Sequence, residues 1–216
     1  MTATSFATDV WHNNSATPIV FSPARPECVG AIPREFLLKV LQPYLPTQTD
    51  YLRSASFVQV GGAEKYAKDE PLLVSEGRFS IPTSCYIQST GHFNAVEFLI
   101  CFNQLAYTTL GYGITQGVFA NLTEAWATLG TRTKLKQLTP KKFFDNQLSS
   151  MLILKTETRF EKIVDAADFS ATLKITSLFS RRDTVFVNAH CVFSDAKGGR
   201  AEGHVLLAYA SQIDVA

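Results

Sequence analysis

Apolar and polar positions follow different rules in different parts of the chain. From Tyr86 to Tyr107 it reads YIQSTGHFNAVEFLICFNQLAY. Phe93, Val96, Leu99, Ile100, Phe102, Leu105 and Ala106 cover most of a helical circumference there, which predicts a buried helix. Asn94, Glu97, Asn103 and Gln104 interrupt it, so it is too polar to span a membrane. Gly91 breaks the chain before this helix, which is expected to run out near Gly111 and Gly113. Upstream, Phe36, Leu37, Val40 and Leu41 keep helical spacing between Pro33 and Pro43, which predicts a short helix over 34–41. Residues 51–60 and 72–81 read as strands. In the second, Leu73, Phe79 and Ile81 share one face, with Glu76, Arg78 and Ser80 on the other. Downstream, Leu122–Leu129 reads as a short helix around Trp126, and Thr139-Pro140 opens another through Gln147.

The last third changes character. Four extended segments follow: 149–163, 169–179, 184–193 and 201–211. Phe169, Leu173, Ile175 and Phe179 share one parity in the second, as do Val185, Val187, Ala189, Cys191 and Phe193 in the third. Asp195–Gly199 is a turn signal that makes the last two segments an antiparallel hairpin. About six strands and one long buried helix predict an α+β domain whose antiparallel sheet wraps the helix, the description of a hotdog fold. Residues 1–33, with four prolines, read as an irregular arm. Residues 34–216 read as one hotdog domain with a helical segment inserted near 114–147. The long late strands leave a sheet edge, and dimerisation is its expected cover.

Composition narrows the function classes. The 216 residues are 46% hydrophobic, enough for a real core. Twenty basic against nineteen acidic residues give a net charge of +1, so electrostatics offer no case for a nucleic-acid or membrane partner. Cys28, Cys85, Cys101 and Cys191 show no CxxC spacing and read as free thiols of a reducing cytoplasm. The first twenty residues lack a basic n-region and an apolar h-region, so no signal peptide is expected and the sequons at Asn13 and Asn121 are incidental. There is no nucleophile elbow, P-loop, dinucleotide fingerprint or zincin motif. His190 and His204 fall on segments expected to pair. Without a carboxylate or thiolate at fixed spacing they read as ordinary imidazoles, so neither metal nor cofactor is expected.

Candidate chemistry gathers at the start of the central helix. His92 and Glu97 can converge across the turn. A carboxylate in apolar surroundings suits a general acid or base, against the alternative of a helix-capping His and a paired Glu. Asn94 can orient a carbonyl or a water, and so can Asn103, for which a satisfied core amide is an even alternative. Backbone N–H groups around Gly91 suit developing negative charge. Tyr44 and Tyr86 are phenol donors that a core role explains as well. Lys155, Glu157, Arg159 and Glu161 alternate along one strand, by default a solvated, cross-paired face.

STGHFNAVEFLICFNQLAY, NQLSSMLILKTETRF and LQPY resemble the FcoT-type hotdog proteins of actinobacteria, with patchy similarity from about Phe36 to Ile213. The resemblance implies either a long-chain acyl thioesterase or its glycine-adding relatives. Those add glycine to the β-carbon of a (2E)-enoyl thioester on acyl carrier protein and release a 3-[(carboxymethyl)amino] fatty acid by hydrolysis. It further implies that Tyr44, Tyr86, Asn94 and Asn103 are site residues. On this reading His92 or Glu97 deprotonates glycine, and Tyr44, Tyr86, Lys155 or Arg159 holds the glycine carboxylate. The expected partners are an acyl thioester on acyl carrier protein or CoA, glycine and a second copy of the chain. A plain thioesterase, an enoyl hydratase and a non-catalytic acyl-binding dimer are the alternatives. The arm and the 114–139 segment are longer than in short members of the family, so acyl chain length does not carry over.

Overall fold

The computed structural model describes residues 29–60, 71–85, 87, 91–119, 138–182 and 184–210. Strands β1 (Gly30–Ala31), β2 (Leu52–Val60) and β3 (Leu73–Phe79) precede the long helix, with α1 (Arg34–Leu41) and a 3-10 turn (Gln42–Thr47) between β1 and β2. The long helix is α2 (Ala95–Thr115). Then come α3 (Pro140–Asn146) and strands β4 (Met151–Lys162), β5 (Phe169–Arg181), β6 (Thr184–Ser194) and β7 (Arg200–Ala210). The strands form one antiparallel sheet in the order β1-β2-β3-β5-β6-β7-β4. This is the expected α+β hotdog arrangement. The seventh strand is β1, whose two residues are too few to carry a period. The short helix expected over 122–129 lies outside the described residues.

α2 packs on β2 and β3 and touches α1 and α3. Its Phe98, Cys101, Phe102 and Leu105 are sealed from solvent. Gly203 on β7 makes room for Phe98, because a Cβ there would meet the Phe98 ring at 2.7 Å. Gln104, one of the polar interruptions, is buried but satisfied. Its Nε2 donates to the Thr49 carbonyl (2.5 Å) and its Oε1 accepts from the Leu52 N–H (2.9 Å), tying α2 to the start of β2.

One expectation is refined and one changes. The helix passes through Gly111 and Gly113 and runs out just beyond them, at Thr115. Those glycines admit rings: a Cβ on Gly111 would meet Phe143 at 2.5 Å, and one on Gly113 would meet Phe119 at 2.7 Å. In β5, a register shift between Ile175 and Ser177 flips the parity. Leu178 therefore takes the core position, and Phe179 stacks on Phe186 with ring centroids 4.9 Å apart. The β6–β7 hairpin forms as expected, with His190 directly opposite His204.

Candidate active site

The start of α2 is built by three residues. Gly91 has φ +78°, a left-handed conformation, with open space around its missing Cβ, so backbone geometry and not crowding selects glycine. Asn94 is the N-cap. Its Oδ1 accepts from the N–H groups of Val96 (3.0 Å) and Glu97 (3.2 Å), and the Glu97 carboxylate accepts from the Asn94 N–H (3.2 Å). This reciprocal capping box gives Glu97, only 2% exposed, a structural partner.

The β4–β5 connection pins this end. His92 bridges to Asp165, the Phe93 N–H donates to the Val164 carbonyl (3.1 Å), and the Ile81 N–H donates to the Ala166 carbonyl (2.9 Å). Asp195, in the β6–β7 turn, accepts from the Asp165 N–H (2.7 Å), and Lys197 bonds the Asp165 carboxylate (2.7 Å). The Lys197 bond is the main reason the Asp165 carboxyl lies below its usual range. Backbone amides of Asp165 and Gly199 do the same for Asp195. Phe93 sits among Phe98, Phe169 and Phe193, which gives the site a rigid aromatic floor.

A cleft of about 620 Å³ opens here, lined by His92, Phe93, Asn94 and Ala95 on one side and by Phe160, Glu161, Lys162 and Ile163 on the other. That volume lies within the range of small-molecule sites. His92 is exposed to it, whereas Glu97 lies beneath the capped turn.

The remaining candidates divide. Tyr44, on the 3-10 turn, is half-buried, and its hydroxyl is pushed well above the phenol range by burial, then by Tyr107 and Cys101. It lies with Cys101, one helical turn inward from Glu97. Asn103 is half-buried on the α2 face that carries Val96, Leu99 and Ile100, away from the sealed Phe102 and Leu105. Lys155 and Arg159 are not brought to the cleft. They pair across with Leu206 and Glu202 on the sheet face turned from α2, where Lys155 bonds Glu157 (2.5 Å) and Arg159 lies 3.7 Å from Glu161. Tyr86 lies outside the described residues.

Tyr51 went unnoticed in the sequence. Its ring is buried, its hydroxyl donates to the Thr83 carbonyl (3.1 Å), and burial, Cys85, Glu97 and Cys101 all push its pKa up. It belongs to the polar pocket behind Glu97. A tyrosine at the head of a strand carries no sequence signal for that role. Phe160, Lys162 and Ile163 were equally silent, and Glu161 read only as part of a solvated face, because the β7–β4 pairing is what sets them beside the helix start. Among the described residues no cluster of His, Cys, Asp and Glu could hold a metal.

The FcoT-like thioesterase domain model matches residues 39–209. The chain belongs to the FcoT-like thioesterase family. Within it, the chain is similar to a Mycobacterium marinum protein named (2E)-enoyl-ACP glycyltransferase, with 34% identity over 82% of this chain and 86% of that one. A Streptomyces coeruleorubidus protein of the same name is 31% identical over 81% of this chain and 95% of its own length. Among solved structures, a mutant thioesterase from Pseudomonas aeruginosa aligns at 10% identity and a TM-score of 0.40, over 83% of this chain and 94% of that one, too distant to add to the argument. The family's matched span contains the capped helix, the cleft and Tyr44.

Proposed function

We propose that this FcoT-like enzyme adds glycine to the β-carbon of an α,β-unsaturated fatty acyl thioester and then hydrolyses the thioester. The observation that carries the reading is the 34% identity, across 82% of the chain, to a protein named for glycyl transfer to enoyl-ACP. The cleft at the start of α2 supports it. In the addition, the glycine nitrogen forms a bond to the β-carbon and the π electrons move to the carbonyl oxygen. That oxygen lies best against the positive end of α2, by Ala95, where helix amides are left over. The α-carbon then takes a proton. Water next adds to the thioester carbonyl and the carrier thiol leaves, freeing a 3-[(carboxymethyl)amino] fatty acid.

Glycine arrives as an ammonium and must lose a proton before it can attack. His92 faces the cleft and has the right chemistry for that base. Glu97 is held behind the cap, so its part is to position the turn. Asn94 spends its carbonyl oxygen on the cap and keeps its NH2 for the substrate. Lys162, the cation on the cleft wall, suits the glycine carboxylate better than Lys155 or Arg159 on the far face. Tyr44 and Asn103 are assigned to substrate binding, the role that the family resemblance also implies for Tyr86. The enzyme works as a homodimer in the cytoplasm, without a cofactor, on acyl carrier protein or CoA thioesters.

The test is mass spectrometry of products from an enoyl thioester with and without glycine. A free acid heavier by one glycine, absent with boiled protein, is the expected result. Free enoic acid alone, at a rate indifferent to glycine, returns the chain to plain thioester hydrolysis.

A further inference from the structure

The sheet face turned from α2 carries a row of ionisable side chains that only strand register brings together. Lys174 of β5 stands opposite His190 of β6, His190 opposite His204 of β7, and His204 opposite Glu157 of β4. The two imidazoles stack, with ring centroids 4.4 Å apart and planes 21° from parallel. His204 is exposed and His190 is half-buried. Their strand neighbours Cys191 and Gly203 also stand opposite each other, but toward α2, because successive residues of a strand point to opposite faces. Both are buried, and Gly203 makes room for the Phe98 ring. The row therefore lies back to back with the aromatic floor of the cleft, where Phe98 meets Phe93 and Phe193.

The charges around the pair favour neutral rings. The described carboxylates nearest to it each answer a permanent cation already. Glu157 bonds Lys155 (2.5 Å), Glu202 bonds Arg200 (2.8 Å), and Glu161 lies 3.0 Å from Arg200 and 3.7 Å from Arg159. Glu202 approaches the His190 Nε2 only to 3.8 Å. A proton placed on His190 meets Lys174 on one neighbouring strand and the second imidazole on the other. Burial first, then His204, hold His190 below the ordinary imidazole range. Lys174 and Arg200 act in the same direction, and Glu202 opposes them.

We propose that the row Lys174, His190, His204 and Glu157 is an acid-operated clasp between β6 and β7. Neutral imidazoles stack across the two strands. When both carry protons, like charges stand directly opposite and the pairing loosens. The loosening reaches Cys191 and Gly203, and through Gly203 the Phe98 ring under the cleft. Below about pH 6.5 the unfolded chain binds a proton at His190 that the folded chain resists. The clasp's share of stability is therefore present above that pH and is lost as pH falls through the lower midpoint of the folded imidazole. The clasp is independent of the reaction proposed above.

Histidine NMR and urea unfolding of the full chain test it without substrate. The His190 ring resonance, assigned through its own backbone, titrates with a midpoint below about 6.5, and His204→Gln raises that midpoint. A wild-type midpoint at or above that value, or one that His204→Gln leaves unmoved, overturns the clasp. Between about pH 7.5 and about pH 5.5 the wild-type unfolding constant rises at least about threefold more than that of His190→Gln. Equal pH dependence overturns the clasp. Amide exchange reads the opening: protection of β6 and β7 falls over the same range in the wild type and holds in His190→Gln. Protection that stays level in the wild type overturns the loosening. His204 is exposed, so His204→Gln keeps the fold, and its titration decides the question even where His190→Gln fails to fold.

Discussion

The two ends of α2 solve opposite problems with the same helix. At its start the helix is polar, capped and open: Asn94 and Glu97 close the first turn, and His92 faces a cleft. At its other end it is notched and packed by aromatic rings. Gly111 and Gly113 let Phe143 and Phe119 press against the backbone, and Leu110, Ile114, Leu178 and Leu207 line an apolar cavity of about 30 Å³. One end is held by hydrogen bonds beside an open cleft, and the other by ring packing against the helix backbone. The lesson is that a helix interrupted by polar residues is not thereby catalytic along its length. Gln104 is as buried as Glu97, yet it ties α2 to Thr49 and Leu52 and faces no cleft.

This contrast can be broken at either end. The largest effect is expected from His92→Ala, with turnover down about 10²- to 10⁴-fold and thermal stability nearly unchanged, since the side chain is exposed. Steady-state kinetics beside a melting curve reads both. Gly111→Leu should do the reverse, destabilising the fold by about 1–3 kcal/mol in urea titration while folded molecules keep their rate. Asn94→Ala should cost about 1 kcal/mol through the lost cap, and Asn94→Asp should restore that stability because it keeps the acceptor. Glu97→Gln is sharper. Glutamine can serve a capping box, so stability should hold and turnover should stay within about fivefold. A loss of a hundredfold would move proton transfer from His92 to Glu97. The smallest effect belongs to Lys155→Ala, where the KM for glycine should stay within about twofold, as expected for a site on the far sheet face. A tenfold rise would return Lys155 to the site.

Much of the fold was legible because its signals are local. The parity of Val185 to Phe193, the turn at Asp195–Gly199 and the apolar girth of α2 each report a backbone period against a buried surface. The parity reading failed at Phe179 because a bulge costs one residue and leaves no mark in composition. The helix ran past Gly111 and Gly113 because rings from α3 and from Phe119 compensate what glycine loses in helix propensity.

The sequence by itself determined the kind of residues at the helix start: a glycine that can turn, an asparagine that can cap, a glutamate three residues on, and a histidine beside them. Those choices depend on backbone geometry within one turn, so they are written in neighbouring letters. Only the tertiary structure decided which of them meets solvent. Glu97 is folded under the capped turn near Tyr51, while the β4–β5 connection, about seventy residues away, pairs with the backbone of His92 and Phe93, whose neighbourhood opens to the cleft. The same distant pairing set Lys162 on the cleft wall and turned Lys155 and Arg159 to the other face. Which face a strand residue takes depends on its neighbour's register, and register is a property of the assembled sheet.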